Sequence, residues 1–269
     1  VRSFSKFLLA SLLIAGALGA AYWAFHPEQP EAPKPRVEPS PSPRPAAAPA
    51  IRFPVPPEPP EVAAASGVVP PVDQSDPTLA DALSALFGKA RVEAIFHIKD
   101  IVRRIVVTVE NGTGHIQPAE EFWPVKPPAP RFKGERSGED WVIGAENFRR
   151  YEPFVQLARD VDPIKLVALY RHFYPIFQSA YRDLGSPGYF NDHLVDAIDV
   201  LLSAPEYPEP IRLTSPNQHK RYKFADARLE ALPASQKILI RMGSANAEVI
   251  KKKLIQIREQ LVQLGQRAG

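Results

Sequence analysis

The sequence predicts a mainly α-helical globular domain with a small β-hairpin, preceded by a single transmembrane helix and a disordered proline-rich linker. Three observations carry this. An uncharged apolar run fills residues 7–25. Of the 31 prolines, 16 fall between His26 and Val72. The 197 residues from Asp73 onward repeat apolar side chains at helical spacing. The expected divisions are a cytoplasmic tail over 1–6, a transmembrane helix over 7–25, a linker over 26–72 and a periplasmic helical domain over 73–269.

The first element is FLLASLLIAGALGAAYWAF, Phe7 to Phe25. As a helix it would reach roughly 28 Å, close to the hydrocarbon thickness of a bilayer. Arg2 and Lys6 precede it and the first charge after it is Glu28. A positive-inside distribution then puts the N-terminus in the cytoplasm and the rest outside. The expectation is a bacterial inner-membrane, single-pass protein. A signal peptide cleaved after Gly19 is the competing reading; the apolar run continuing through Tyr22, Trp23 and Phe25 favours an uncleaved anchor.

The second element, His26 to Val72, has few large apolar side chains to bury. Burial cannot offset its ordering entropy, and dense proline biases it toward polyproline II. Fully extended it would span on the order of 140 Å. An inert spacer is one reading. A proline-rich ligand is the other, and Pro39-Ser40-Pro41-Ser42-Pro43 is too unspecific to select it.

Within the domain, Ser75-Asp76-Pro77 reads as a capped helix start, Leu79, Leu83 and Leu86 share a face, and Gly88 ends the helix. A second helix is expected from Arg91 to Val109, with Ile95, Ile98, Ile101, Val102, Ile105, Val106 and Val109 on one face. Its β-branched end leaves a strand as the alternative there. Gln117 to Pro130 is a loop with five prolines. Arg131 to Ile143 forms a hairpin turning at Ser137-Gly138. Helix resumes near Ala145. Asp162-Pro163 starts an aromatic-rich helix that runs to about Gly185, with Pro175 inside it and a kink expected. Another covers Phe190 to Ser203. Ile211 to Leu213 is a short strand facing Tyr222 to Phe224. Two helices close the chain, Pro233 to Met242 and Ser244 to about Gln263, with Gly243 between.

The stretches LYRHFYPIFQSAYRDLG (Leu169 to Gly185), GYFNDHLVDAIDVLL (Gly188 to Leu202), RYKFADARLEAL (Arg221 to Leu232) and QKILIRMGSANAEVIKKKL (Gln236 to Leu254) together resemble bacterial domain of unknown function family 3014. The resemblance extends over most of Asp73 to Leu264 and departs from the family pattern at His193 and Pro216 to Lys220. It implies a membrane-anchored envelope protein with a proline-rich linker. It implies no activity.

Composition narrows the chemistry. There is no cysteine, which excludes disulfides, thiolate ligands and a cysteine nucleophile. The net charge is +3, too balanced for a nucleic-acid partner to be expected. No G-x-S-x-G elbow or phosphate-binding glycine loop is present. No catalytic residue, cofactor or metal is therefore assigned.

Four clusters remain. Tyr170, Phe173, Tyr174, Phe177 and Tyr181 form an aromatic stripe that either packs the core or lines a groove. Before the next helix, Asn191 or Asp192 can act as its cap. Asp192 and Asp196, with His193 and Asp199 nearby, would otherwise suggest a cation, without any helical metal motif. His219 to Phe224 interleaves basic and aromatic residues, as a guarded strand edge or a seat for an envelope anion. Ile250, Leu254, Ile257, Leu261 and Leu264 make an apolar seam that packs on its own domain or dimerises. Lys251, Lys252 and Lys253 are expected in solvent.

The functional expectation is an interaction or scaffold module of the cell envelope. Its candidate surface is Tyr170, Tyr174, Tyr181, Tyr189, Asn191 and Asp192. Expected partners are the inner membrane, an envelope protein or cell-wall component, and a second copy through the C-terminal helix. The alternative is an enzyme acting on envelope material through residues 189–199.

Overall fold

A computed structural model describes residues 50–59, 67–115, 118–215 and 222–266. The element order is a 3₁₀ turn (Val72–Gln74), α1 (Asp76–Phe87), α2 (Lys89–Ile95), α3 (Ile101–Glu110), a 3₁₀ turn (Glu120–Phe122), β1 (Glu135–Ser137), β2 (Asp140–Val142), α4 (Ala145–Arg149), α5 (Glu152–Asp160), α6 (Pro163–Asp183), α7 (Phe190–Leu202), β3 (Arg212–Thr214), β4 (Lys223–Phe224), α8 (Ala227–Glu230), α9 (Ala234–Arg241) and α10 (Ser244–Gln266). The mainly helical class with a small antiparallel sheet is as the sequence predicts.

The expected membrane helix, and with it the single-pass inner-membrane and periplasmic location, is corrected. Among the described residues no helix is long and apolar enough to cross a membrane. The two longest explain why. Charges interrupt α6 at Lys165, Arg171 and Arg182, and α10 at Glu248, Lys251 to Lys253, Arg258 and Glu259. Residues 1–49, which hold the tail, the run over 7–25 and much of the linker, lie outside the described residues.

Helices α6 and α7 form the centre. α3 packs across both on one side, while α10 packs along both and along α5. The largest cluster joins Leu79, Leu83, Val102, Val106, Phe173, Phe177 and Phe190. Phe190 is fully buried and stacks on Phe177 with ring centroids 5.6 Å apart. The stripe residues Phe173, Phe177 and Tyr181 therefore belong to the core. The α10 seam also turns inward: Leu261 packs with Val167, Val195 and Ile198, and Leu254, Ile257 and Leu264 join the same cluster. Lys251 and Lys253 do not extend into solvent. Their Nζ atoms donate to the carbonyls of Ala204 and Val161, just past the C-termini of α7 and α5. Cations are favoured there by the orphan carbonyls and the helix dipole. Lys252 alone of the three stays largely exposed, beside Glu248.

The helix expected over Arg91 to Val109 is two helices. Phe96 is extended and bridges Val125. His97 N–H donates to Pro124 O, and Lys126 N–H to Ile95 O. The chain then turns through Asp100, whose φ of 56° lies in the left-handed region that a short polar residue tolerates. Ser75 is not the cap expected of it, since its hydroxyl donates back to Val72 O. Asp76 acts instead, but on another helix. Its carboxylate accepts from Asp100 N (2.7 Å) and Ile101 N (3.2 Å), satisfying orphan amides at the start of α3. Asp162 does cap α6, accepting from Ile164 N and Lys165 N.

The hairpin forms as expected, pairing Glu135 with Val142 and Ser137 with Asp140. The separate strand pair does not stand alone. β3 joins β2 through Trp141 and Leu213, giving one antiparallel sheet in the order β1-β2-β3-β4. Tyr222 packs its ring against Phe132 and Trp141 in the cluster under this sheet. The basic residues His219, Lys220 and Arg221 lie outside the described residues.

Candidate functional site

The α6–α7 corner is built from four consecutive requirements of the sequence. Gly185 and Gly188, both at positive φ, turn the chain between the helices. Gln178 fixes the turn: its Nε2 donates to Gly188 O, and its Oε1 accepts from Phe190 N. Phe190 then anchors α7 in the core. Asn191 and Asp192 follow in the first turn, 0% and 8% exposed. Buried amide and carboxylate groups need partners.

Those partners come from the segment expected to be free linker. Residues 50–59 lie against this corner. The Asp192 carboxylate accepts from two successive backbone amides, Arg52 N at 3.0 Å and Phe53 N at 2.8 Å. Asn191 Nδ2 donates to Phe53 O at 2.8 Å, while its Oδ1 accepts from the Tyr170 hydroxyl at 3.0 Å. Further along, the Arg171 guanidinium donates to Pro56 O and Pro57 O. Glu58 meets His172 Nδ1 at 2.9 Å, with both side chains nearly buried. Most of these contacts read the backbone of the segment, not its side chains.

Side chains add register. Phe53 enters the cluster of Val167, Val195, Ile198 and Leu261. Arg52 reaches Asp196 at 2.5 Å, and its own charge is held more firmly by that carboxylate. Pro54 lies over Gly265 in the last turn of α10, where an added Cβ would sit 2.7 Å from Pro54 Cγ. The glycine is required by this close approach.

Each expected surface residue can now be placed. Neither Asn191 nor Asp192 caps α7; Tyr189 occupies the cap position without a side-chain bond. Tyr170 lies at the base of the seat, and burial pushes its phenol well above its ordinary range. Tyr174 donates to Gln178 Oε1, and burial foremost pushes its phenol up to about 12. Tyr181 is no surface group. It is 4% exposed, donates to Pro187 O and packs its ring on Phe190 and His193. The acidic cluster is divided among other partners: Asp192 and Asp196 take the Arg52 segment, Asp199 pairs with Arg258, and His193 faces Glu110. Among the described residues no group of His, Asp and Glu is arranged to hold a metal ion.

Arg52, Phe53, Arg171, His172 and Gly265 were not singled out from the sequence. A signal was present in Ile51-Arg52-Phe53-Pro54-Val55, the one apolar alternation among the described prolines. Residues 50–59 of the chain thus rest on the α6–α7 corner. The model of the family described as "Protein of unknown function (DUF3014)" matches residues 101–258, more than half of the chain, and the chain belongs to that family. The matched span includes the whole α6–α7 corner but not residues 50–59. No curated protein and no solved structure matches the chain.

Proposed function

We propose that this domain is an interaction module that captures a proline-rich peptide along α6 and the N-terminus of α7, and that residues 50–59 occupy the seat in the resting chain. The observation that carries the reading is the buried Asn191-Asp192 pair, whose side chains are spent on the backbone of a segment more than a hundred residues away. Main-chain recognition gives affinity, while the Phe53 pocket and the Asp196 and His172 ends give specificity. Proline-rich segments suit such a seat because they lose little entropy on binding.

A tethered segment competes at an effective concentration on the order of millimolar. The intact chain should therefore bind an added peptide poorly. The test is fluorescence anisotropy with a labelled peptide of residues 50–59, titrated with the full chain and with the full chain carrying Arg52→Ala and Phe53→Ala. The doubly substituted chain should bind saturably and the parent much more weakly. Adding Asp192→Ala should abolish binding. Absence of binding to the doubly substituted, folded chain would sink the proposal, as would binding indifferent to Asp192→Ala.

A further inference from the structure

The two ends of the seat differ in what they offer a backbone. At one end the Asp192 carboxylate is an acceptor, and it meets the two amides of Arg52 and Phe53. Beyond it the seat presents donors: Asn191 Nδ2 meets Phe53 O, and the Arg171 guanidinium meets Pro56 O and Pro57 O. Proline at 54, 56 and 57 suits that half, because its backbone supplies a carbonyl and no N–H. A peptide laid the other way would bring its proline half to Asp192, and the nearly buried carboxylate would find no donor there.

Side chains repeat this polarity as charge. Arg52 reaches Asp196 at 2.5 Å and lies 4.0 Å from Asp192. Six positions further along, Glu58 meets His172 at 2.9 Å, and Arg171 is the next residue on that helix. The acidic groups belong to α7 and the basic ones to α6, so the helical corner fixes both the order of the two charges and their spacing. Phe53 enters the cluster of Val167, Val195, Ile198 and Leu261. The Arg52 guanidinium lies 5.4 Å from the centre of the Phe53 ring, a cation–π contact that favours a basic residue directly before the aromatic one.

We infer that the partner is a peptide of one direction and one charge order: a basic residue, an aromatic residue and a proline first, then a proline pair, then an acidic residue six positions after the basic one. This rests on the reading of the seat given above and adds what the seat rejects, namely proline-rich chains with the charges exchanged or the direction reversed. Its test uses the full chain carrying Arg52→Ala and Phe53→Ala, with labelled peptides of residues 50–59 followed by fluorescence anisotropy. A peptide carrying both Arg52→Glu and Glu58→Arg keeps the composition, the prolines and the net charge of the parent peptide; only the charge order changes. It should bind at least tenfold more weakly, because both ends turn from attraction to repulsion. The same residues in reverse order should also bind at least tenfold more weakly, because Asp192 loses its two amides. Asp196→Lys in the chain should strengthen binding of the peptide carrying Arg52→Glu alone and weaken binding of the parent peptide. If Asp196→Lys fails to fold by circular dichroism, the peptide comparisons decide alone, since they leave the seat unaltered. Parent binding matched by the exchanged or the reversed peptide would overturn the inference and leave the seat itself standing. No binding of the parent peptide would end both.

Discussion

Asp192→Ala is the sharpest perturbation of the peptide seat. The carboxylate holds two amides, at 3.0 and 2.8 Å, and is itself 8% exposed. Hydrogen bonds to a charged group contribute about 1.5–3 kcal/mol each. The two share one acceptor and are not additive, so their joint loss is about 3 kcal/mol. At 1.4 kcal/mol per tenfold, the docked state of residues 50–59 should lose roughly a hundredfold in its equilibrium. The comparison variant is Asp196→Ala. Its partner Arg52 has a side chain 52% exposed, and pairs that wet are worth about 0–1 kcal/mol. That change should move docking by less than about fivefold. Amide hydrogen exchange of Arg52 and Phe53 in the full chain reads both directly. If the two variants lose equal protection, or Asp192→Ala loses none, the segment is not held through its backbone and the reasoning fails.

Other consequences follow from the same contacts. Gly265→Leu should also release residues 50–59, because its Cβ would meet Pro54 Cγ at 2.7 Å; exchange at Phe53 should rise while α6 and α7 stay protected. Asp76→Ala should lower stability by about 1 kcal/mol through the uncapped start of α3, seen as an earlier urea midpoint. Tyr174 carries an alkaline signature. Burial pushes its phenol up to about 12, whereas the unfolded phenol ionises near 10, so its contribution is complete below about pH 10 and is lost as pH rises toward 12. Tyr174→Phe should flatten that part of the urea midpoint's pH dependence; identical slopes in parent and variant would count against it.

The helices were legible because periodicity and caps agree. Leu79 and Leu83, the Asp162-Pro163 start and the Gly243 break all act locally. What the sequence concealed was long-range. The break between Ile95 and Ile101 arises because Asp76 accepts from the amides of Asp100 and Ile101, and because Phe96 bridges Val125; neither contact leaves a periodic trace. Asn191 and Asp192 were visible as polar residues at a helix start. Local chemistry made them look like caps, since cap and remote acceptor use the same residue types. The packing of residues 50–59 was hidden for a related reason. Composition measures what a segment can bury by itself, whereas residues 52–58 are held mainly through main-chain groups that every sequence possesses.

That distinction between backbone and side-chain recognition has its own test at Asn191. The residue is fully buried and does two things: Oδ1 accepts from Tyr170, and Nδ2 donates to Phe53 O. Asn191→Asp keeps the shape and the first bond but turns the donor into an acceptor. At neutral pH the new carboxylate would face the Phe53 carbonyl and the Asp192 carboxylate, so the segment should be released. Burial and the neighbouring Asp192 charge both favour the neutral acid. Once protonated, the side chain again has one donor and one acceptor. Lowering the pH should therefore restore docking in the variant, although acid does nothing for the parent's Asn191. Exchange at Arg52 and Phe53, taken from pH 8 to pH 5 and corrected for intrinsic rates against the parent, gives the answer. Recovery in acid means that Nδ2 reads the Phe53 carbonyl. Protection that is high at both ends of that range would mean the bond contributes nothing to holding the segment.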